Sequence, residues 1–257
     1  MHGASTKEFR FKSTAKAVME KVVWVTGAST GIGKDIALEF SKAGYTVVVT
    51  GRRKSRLVSL VNEIRYASED KEREATAFIC NVESERSIIG TAKRIREKYG
   101  KIDCLINNAG VTAFKSFLET KTVDYDAIMN TNVRGTFLCT KYVLPGMLKH
   151  KKGHIINILS VAADTVFDNS SVYSASKAAI LAMSNCIRKE VRKSNIKVTN
   201  ILPGAVETAM WDNKTRQQYK NRMMTSKEIA KIVLQVYEQP AKVMIEDITI
   251  RPIKGDL

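Results

Sequence analysis

Five residues with strand character, Val22-Val23-Trp24-Val25-Thr26, run directly into Gly27-Ala28-Ser29-Thr30-Gly31-Ile32-Gly33 and then into a stretch of helical composition, 34–43. Few folds accept that order. Gly27 suits a tight turn, Gly31 lets a backbone approach a pyrophosphate, and Gly33 lets a helix pack close to the preceding strand. The helix N-terminus then faces the anion with its free N–H groups. A glycine triplet alone also ends strands that bind nothing. The strand before it and the helix after it select the dinucleotide-binding reading, with Ser29, Thr30 and Ile32 in the same loop.

Downstream, short β-branched runs alternate with longer helical segments, which predicts an α/β fold: a doubly wound parallel sheet with helices on both faces. The expected strands are 22–26, 46–50, 76–80, 104–106, 154–159, 197–202 and 244–250. Right-handed crossovers order the first six as a Rossmann sheet, and the seventh extends one edge. The 257 residues, 44% hydrophobic, suit one domain over 19–257 with a substrate-loop region at 205–226. Residues 1–18 carry Lys7, Arg10, Lys12 and Lys16 against Glu8 and show no period. They read as an inert tail or as a basic targeting segment.

No apolar run approaches the roughly 20 residues that span a bilayer, so a soluble chain without a membrane partner is expected. The four cysteines form no C-x-x-C pair, so no metal is expected and a reducing, cytoplasmic setting fits. The formal net charge of +16 favours polyanions in general. No aromatic residues interleave the basic runs at 52–54 and 149–152, and no nucleic-acid partner is expected.

The second strand closes on Gly51-Arg52-Arg53, where an unmodified ribose would call for an acid. The arginine pair matches a 2′-phosphate through bidentate hydrogen bonds; the other reading is two solvated residues opening a helix. Tyr173 and Lys177, four apart on an expected helix, share one face. A cation beside a phenol favours the phenolate and lowers its pKa toward neutrality, although such pairs also occur on solvated helices. Ser160 ends the fifth strand at the sheet's ligand-binding edge, where a turn or cap role competes. Asn132 stands in an expected long helix that it does not favour.

Residues 26–33, Asn107-Asn108-Ala109-Gly110, Asn132, Ser160, Tyr173, Lys177, and Pro203-Gly204 with Val206 and Thr208 together resemble the short-chain dehydrogenase/reductase family in order and spacing. The resemblance covers about 21–208 and implies an NADP(H)-dependent oxidoreductase acting on a small carbonyl or alcohol. It makes Tyr173 the proton donor and acceptor, Ser160 the hydrogen-bond partner of the substrate oxygen, and Lys177 the cation that tunes Tyr173 and holds the nicotinamide ribose. It makes Asn132 the anchor of a relay water. Asn108, Ala109 and Gly110 would flank the adenosine, and Thr208 would reach the nicotinamide. Asn81-Val82 stand where the family usually has Asp-Val at the adenine. A homotetramer packed through helices near 127–148 and 174–191 is also implied. A 3-oxoacyl carrier-protein reductase, a 3-hydroxy acid dehydrogenase and a non-catalytic NADP-binding regulator remain as alternatives. The three histidines have no expected role, and Glu207 reads as a solvated loop acid.

Overall fold

Strands buried on both faces account for the continuous valine runs. In the computed structural model, which describes residues 21–66 and 74–257, β1 (Val22–Val25) is buried at all four positions. Val23 and Val25 belong to the core on one side of the sheet, and Val22 and Trp24 to the core on the other. The Trp24 indole N–H is satisfied by the Thr50 hydroxyl at 2.9 Å, so the largest buried side chain leaves no polar group orphaned.

The remaining strands are β2 (Thr46–Gly51), β3 (Ala75–Ile79), β4 (Cys104–Asn107), β5 (Gly153–Ile158), β6 (Ile196–Pro203), β7 (Val206–Glu207), β8 (Met224–Thr225) and β9 (Asp247–Ile250). Seven of them form one parallel sheet in the order β3-β2-β1-β4-β5-β6-β9. The order reverses between β1 and β4, where ligands of doubly wound sheets bind. Helices α1 (Gly31–Lys42), α2 (Lys54–Tyr66) and α8 (Ser226–Tyr237) cover one face. On the other lie α3 (Glu85–Tyr99) and α5 (Gly135–His150), with the end of α6 (Ser171–Val191). Along α6 the buried positions Tyr173, Lys177, Ile180, Ser184, Arg188 and Val191 recur at helical spacing, so one face carries both core and chemistry.

The expected architecture is present, and three local expectations change. The last strand starts at Asp247 rather than 244, because only β6 is available to pair with it and the register runs Asn200↔Asp247 to Pro203↔Ile250. The helix expected around 127–148 is interrupted: α4 (Thr122–Ile128) passes through a π-helical turn, Met129–Arg134, before α5. The segment 205–226 contains α7 (Asn213–Tyr219) and the two-residue β7·β8 ladder. The predicted tail at 1–18 lies outside the described residues. No helix among the described residues is long and apolar enough to cross a membrane.

His154 is buried, with Nε2 2.8 Å from the Thr199 hydroxyl and its ring stacked on Tyr237. Burial, with Lys197 adding to it, pulls its pKa down to about 3, which leaves it a neutral core residue. Glu207 is half-buried and paired to Arg216 at 3.6 Å rather than solvated, because β7 brings it under α7.

Candidate active site

The loops leaving β1 and β4 are tied by one hydroxyl. Thr26 Oγ1 donates to the Ile106 carbonyl (3.2 Å) and accepts from the backbone N–H groups of Asn108 (3.0 Å) and Ala109 (3.1 Å). Gly27, with φ +64°, rests so close to this turn that a Cβ would lie 2.7 Å from Ala109 Cα. Asn108 Nδ2 donates to the carbonyls of Thr26 and Gly27, and a Cβ on Gly33 would come within 2.3 Å of that nitrogen. Gly33 therefore makes room for the Asn108 amide as well as for helix packing.

Above this tie opens a cleft of about 970 Å³. Its wall includes Gly27, Ser29, Thr30, Gly31 and Ile32 from the first loop, Gly51 to Arg53 from the end of β2, and Asn81 with Val82 beyond β3. Asn108 to Gly110, Ser160, Tyr173 and Lys177 continue it, with Pro203 at the end of β6 and Gly204, Val206 and Thr208 after it. Two predicted site residues are absent from the wall: Gly33, packed beneath Asn108, and Asn132, fully buried behind the cleft.

The residues present fit a dinucleotide. Thr30, the N-cap of α1, has an extended backbone and makes no side-chain cap, which leaves the helix's first N–H groups for an anion. No acid stands in that first turn. The two arginines differ: an Arg53 Nη donates to Ser29 Oγ at 3.1 Å and so leans over the loop, whereas Arg52 is 3.7 Å from Glu83. Asn81 Oδ1 accepts from the Glu83 N–H at 3.2 Å, and no acceptor among the described residues takes its amide N–H groups.

At the other end, Tyr173 is buried beside Ser160, whose Oγ accepts from the Ala162 N–H at 3.2 Å. Ser160 thus caps a short turn and faces the phenol at once. The Lys177 ammonium donates to the Ile158 carbonyl at 2.9 Å and lies 5.6 Å from the centre of the Tyr173 ring. The expected lowering of the Tyr173 pKa is not what this geometry produces. Burial pushes the phenol up to about 12, only partly offset by Ser160, and burial pulls Lys177 down to about 8. Desolvation acts on both groups against their charged forms and outweighs the help each charge would give.

Asn132 explains its misfit with a helix. Its Oδ1 accepts from the Val111 N–H (2.8 Å), and its Nδ2 donates to the Val111 carbonyl (3.0 Å) and to Ser176 Oγ (3.0 Å). Both N–H groups and one acceptor site of the oxygen are taken by protein, so the side chain joins the loop after β4 to α6. Ser176 was legible as a partner, since it shares the Tyr173 face of α6 at i+3. Phe114 carried no such signal, and Trp211 only that of apolar surface in the substrate-loop region. Their rings stack at 5.1 Å and 18°, and Phe114 also meets the edge of Tyr173 at 6.2 Å.

A family model described as short chain dehydrogenase matches residues 21–219. The chain belongs to that family. It is 37% identical over 246 residues to a sepiapterin reductase of Chlorobaculum tepidum, covering 93% of this chain and 99% of the relative. An uncharacterized oxidoreductase of Staphylococcus saprophyticus is 34% identical over 236 residues, covering 92% and 99%. Among solved structures, a serine dehydrogenase complexed with NADP+ in its closed form superposes with a TM-score of 0.84 at 30% identity, over 92% of this chain and 96% of that one. A metagenomic short-chain oxidoreductase in complex with NADP gives 0.79 at 28%, over 90% and 96%.

The buried lysine carries a stability cost with a definite pH window. Below pH 8 folded and unfolded chains both hold the proton, and the full cost of burying the charge is present. Between pH 8 and the ordinary 10.5 the unfolded chain alone keeps it, so stability rises with pH; above 10.5 the cost is gone. Lys177→Met is expected to stabilise the free enzyme below pH 8 by on the order of 3 kcal/mol, less the bond to Ile158, and to lose that advantage by pH 10.5. A Tm difference that does not change with pH contradicts this.

Proposed function

We propose that this chain is an NADP(H)-dependent oxidoreductase interconverting a carbonyl and an alcohol, with Tyr173 as its acid and base. The observation that carries the reading is the meeting of Ser160, Tyr173 and Lys177 at the carboxyl end of β5, in a cleft whose other end opens on α1. The NADP complexes of the serine dehydrogenase and of the metagenomic oxidoreductase support the choice of cofactor. When bound, the nicotinamide supplies the hydride in reduction and receives it in oxidation.

Ser160 Oγ holds the substrate oxygen, beside the Tyr173 phenol. With a pKa of about 12, Tyr173 is protonated at neutral pH and ready to donate. As the carbonyl carbon gains the hydride, the oxygen takes the Tyr173 proton, and a phenolate forms beside the Lys177 ammonium in a buried setting. A charge fixed there before the step stabilises that phenolate without reorganisation, which is where the lysine contributes to rate. Lys177 also holds the nicotinamide ribose, and Asn132 acts by position, keeping the loop after β4 against α6. The adenosine lies along Asn81, Val82 and 108–110, and Pro203, Gly204, Val206 and Thr208 border the nicotinamide end. A homotetramer is proposed through the α5 and α6 faces, where Phe137 and Leu148 on α5 stay exposed while Ile180 on α6 is consumed by the core. Sedimentation at micromolar concentration is expected to give a four-chain species; a monomer refutes it.

Tyr173→Phe is expected to cost at least about a hundredfold in kcat while leaving NADPH affinity within a fewfold, because it deletes the proton donor and little else. A smaller loss in rate assigns the proton to another group. NADPH is expected to exceed NADH by roughly ten- to a thousandfold in kcat/KM. Gly51 offers the 2′-phosphate no repelling acid, and Arg53, held over Ser29, is placed to contribute more than Arg52. Arg53→Ala should therefore erode the preference more than Arg52→Ala, and Gly51→Asp with both arginines neutralised should erase or reverse it. Equal use of NADH by the unaltered enzyme at physiological salt overturns the phosphate site.

A further inference from the structure

The chain carries 42 Lys and Arg against 26 Asp and Glu, yet the substrate end of the cleft runs the other way. Beyond Ser160 its wall contains three carboxylates, Asp168, Asp212 and Asp256. Apart from the buried Lys177, that stretch of wall has no cation among the described residues. Asp168 is exposed and has no ion-pair partner among the described residues. Asp212, the N-cap of α7, accepts from the N–H and hydroxyl of Thr215 and has no ion-pair partner among the described residues. Asp256 alone is neutralised, by Arg251, which stands outside the wall. The arginines that do line the cleft, Arg52 and Arg53, are at the opposite, adenosine end.

Over the carbonyl position lies a row of rings. Trp211, from the segment after β6, stacks on Phe114, from the loop after β4, and Phe114 meets Tyr173 edge-to-face. The Trp211 indole is fixed by a 3.1 Å bond from Nε1 to the Val206 carbonyl. Phe114 keeps 43% of its surface exposed, so it offers a face to an incoming ring. An anionic substrate would meet two carboxylates that lack an ion-pair partner, and the one cation there, Lys177, is buried and already bonded to the Ile158 carbonyl. A planar ring would meet a wall already built for offset or edge-to-face contact.

Resting on the oxidoreductase reading above, we propose that the substrate is an uncharged or cationic planar aromatic or heteroaromatic carbonyl compound, seated against Phe114 and Trp211, and that Asp168 and Asp212 exclude carboxylates. Oxo acids, hydroxy acids and acidic acyl carriers are poor substrates on this reading, whatever the net charge of the chain. For charges about 7 Å apart in a water-like medium, Coulomb's law gives about threefold per carboxylate and so about tenfold for the two. Stacking adds roughly three- to tenfold for a planar ring over a saturated one.

The test uses one ring in three charge states: acetophenone, its 4-trimethylammonio derivative and 4-acetylbenzoate, with cyclohexyl methyl ketone as the saturated control. Turnover with NADPH is measured beside the emission of Trp211 in enzyme loaded with NADP+. The chain has only two tryptophans, Trp24 is fully buried, and Trp211→Phe, which keeps a ring, identifies the signal. The neutral and cationic ketones are expected to surpass the carboxylate at least about tenfold in kcat/KM, or in affinity by emission, with the gap narrowing as salt screens it. Asp168→Lys should narrow that gap at low salt, and Phe114→Ala should lower the ratio of acetophenone to the saturated ketone. Equal or better use of 4-acetylbenzoate, an unchanged gap in Asp168→Lys, or silence of both turnover and emission with every ring overturns the proposal. Tyr173-dependent turnover led by the carboxylate sinks substrate selection and leaves the oxidoreductase reading standing. Ring binding with no NADPH oxidation sinks that reading and leaves the selection in place.

Discussion

The Thr26 hydroxyl uses its donor and its acceptor at once, giving its proton to the Ile106 carbonyl and taking the N–H groups of Asn108 and Ala109. These contacts lie where the strand order reverses, so they set the distance between the two loops that part there to opposite sides of the sheet. Gly27 and Gly33 have no side chains because that distance leaves no room for them, against Ala109 and the Asn108 amide respectively. Asn132 then carries the constraint onward, from Val111 in the same loop to Ser176 on α6. Ser176 is one residue from Lys177 and three from Tyr173, so the reacting groups are registered to the cofactor loop through a chain of hydrogen bonds.

Burial gives that register and sets the chemistry's electrostatics with the same stroke. Tyr173 and Lys177 are each moved away from their charged forms, and neither has a carboxylate to compensate it. In a more solvated pair the lysine would lower the phenol's pKa in the resting enzyme. Here the phenol stays protonated and the cation is held in reserve for the moment a phenolate forms. Preorganised charge of this kind is worth most where the medium is least polarisable, which is why destabilising the resting lysine and accelerating the reaction are one property rather than two.

How far this was legible in the residues follows from the range of the forces involved. The strand, loop and helix at 22–43 could be read because a strand buried on both faces must be apolar throughout and a tight turn must be glycine. Asn132 could be read as a misfit but not understood, since its partners are 21 and 44 residues away and the π-helical turn that seats it has no composition of its own. The direction of the Tyr173 shift was misjudged because spacing on a helix reports proximity to a cation and says nothing of how much water both have lost. The region 205–226 was legible only as a place: its helix and two-residue ladder depend on Ala205 and Met224 meeting, and the Trp211 stack depends on Phe114, 97 positions earlier in a different loop.

The net charge of +16 invites a reading of the whole surface as a lure for anions, and the cleft shows why that inference has a short reach. In physiological salt, fields between exposed charges decay over about 8 Å, so a bound molecule responds to the few groups around it rather than to the sum over the chain. Those groups are sorted along the cleft. Arginines and an uncapped helix N-terminus stand at the end that suits phosphates, a buried lysine stands at the reacting centre, and uncompensated carboxylates stand beyond it. A ligand bearing phosphates at one end and a neutral ring at the other is matched along its whole length. The same ligand turned end for end would put phosphates against Asp168 and Asp212, so the gradient orients as well as binds.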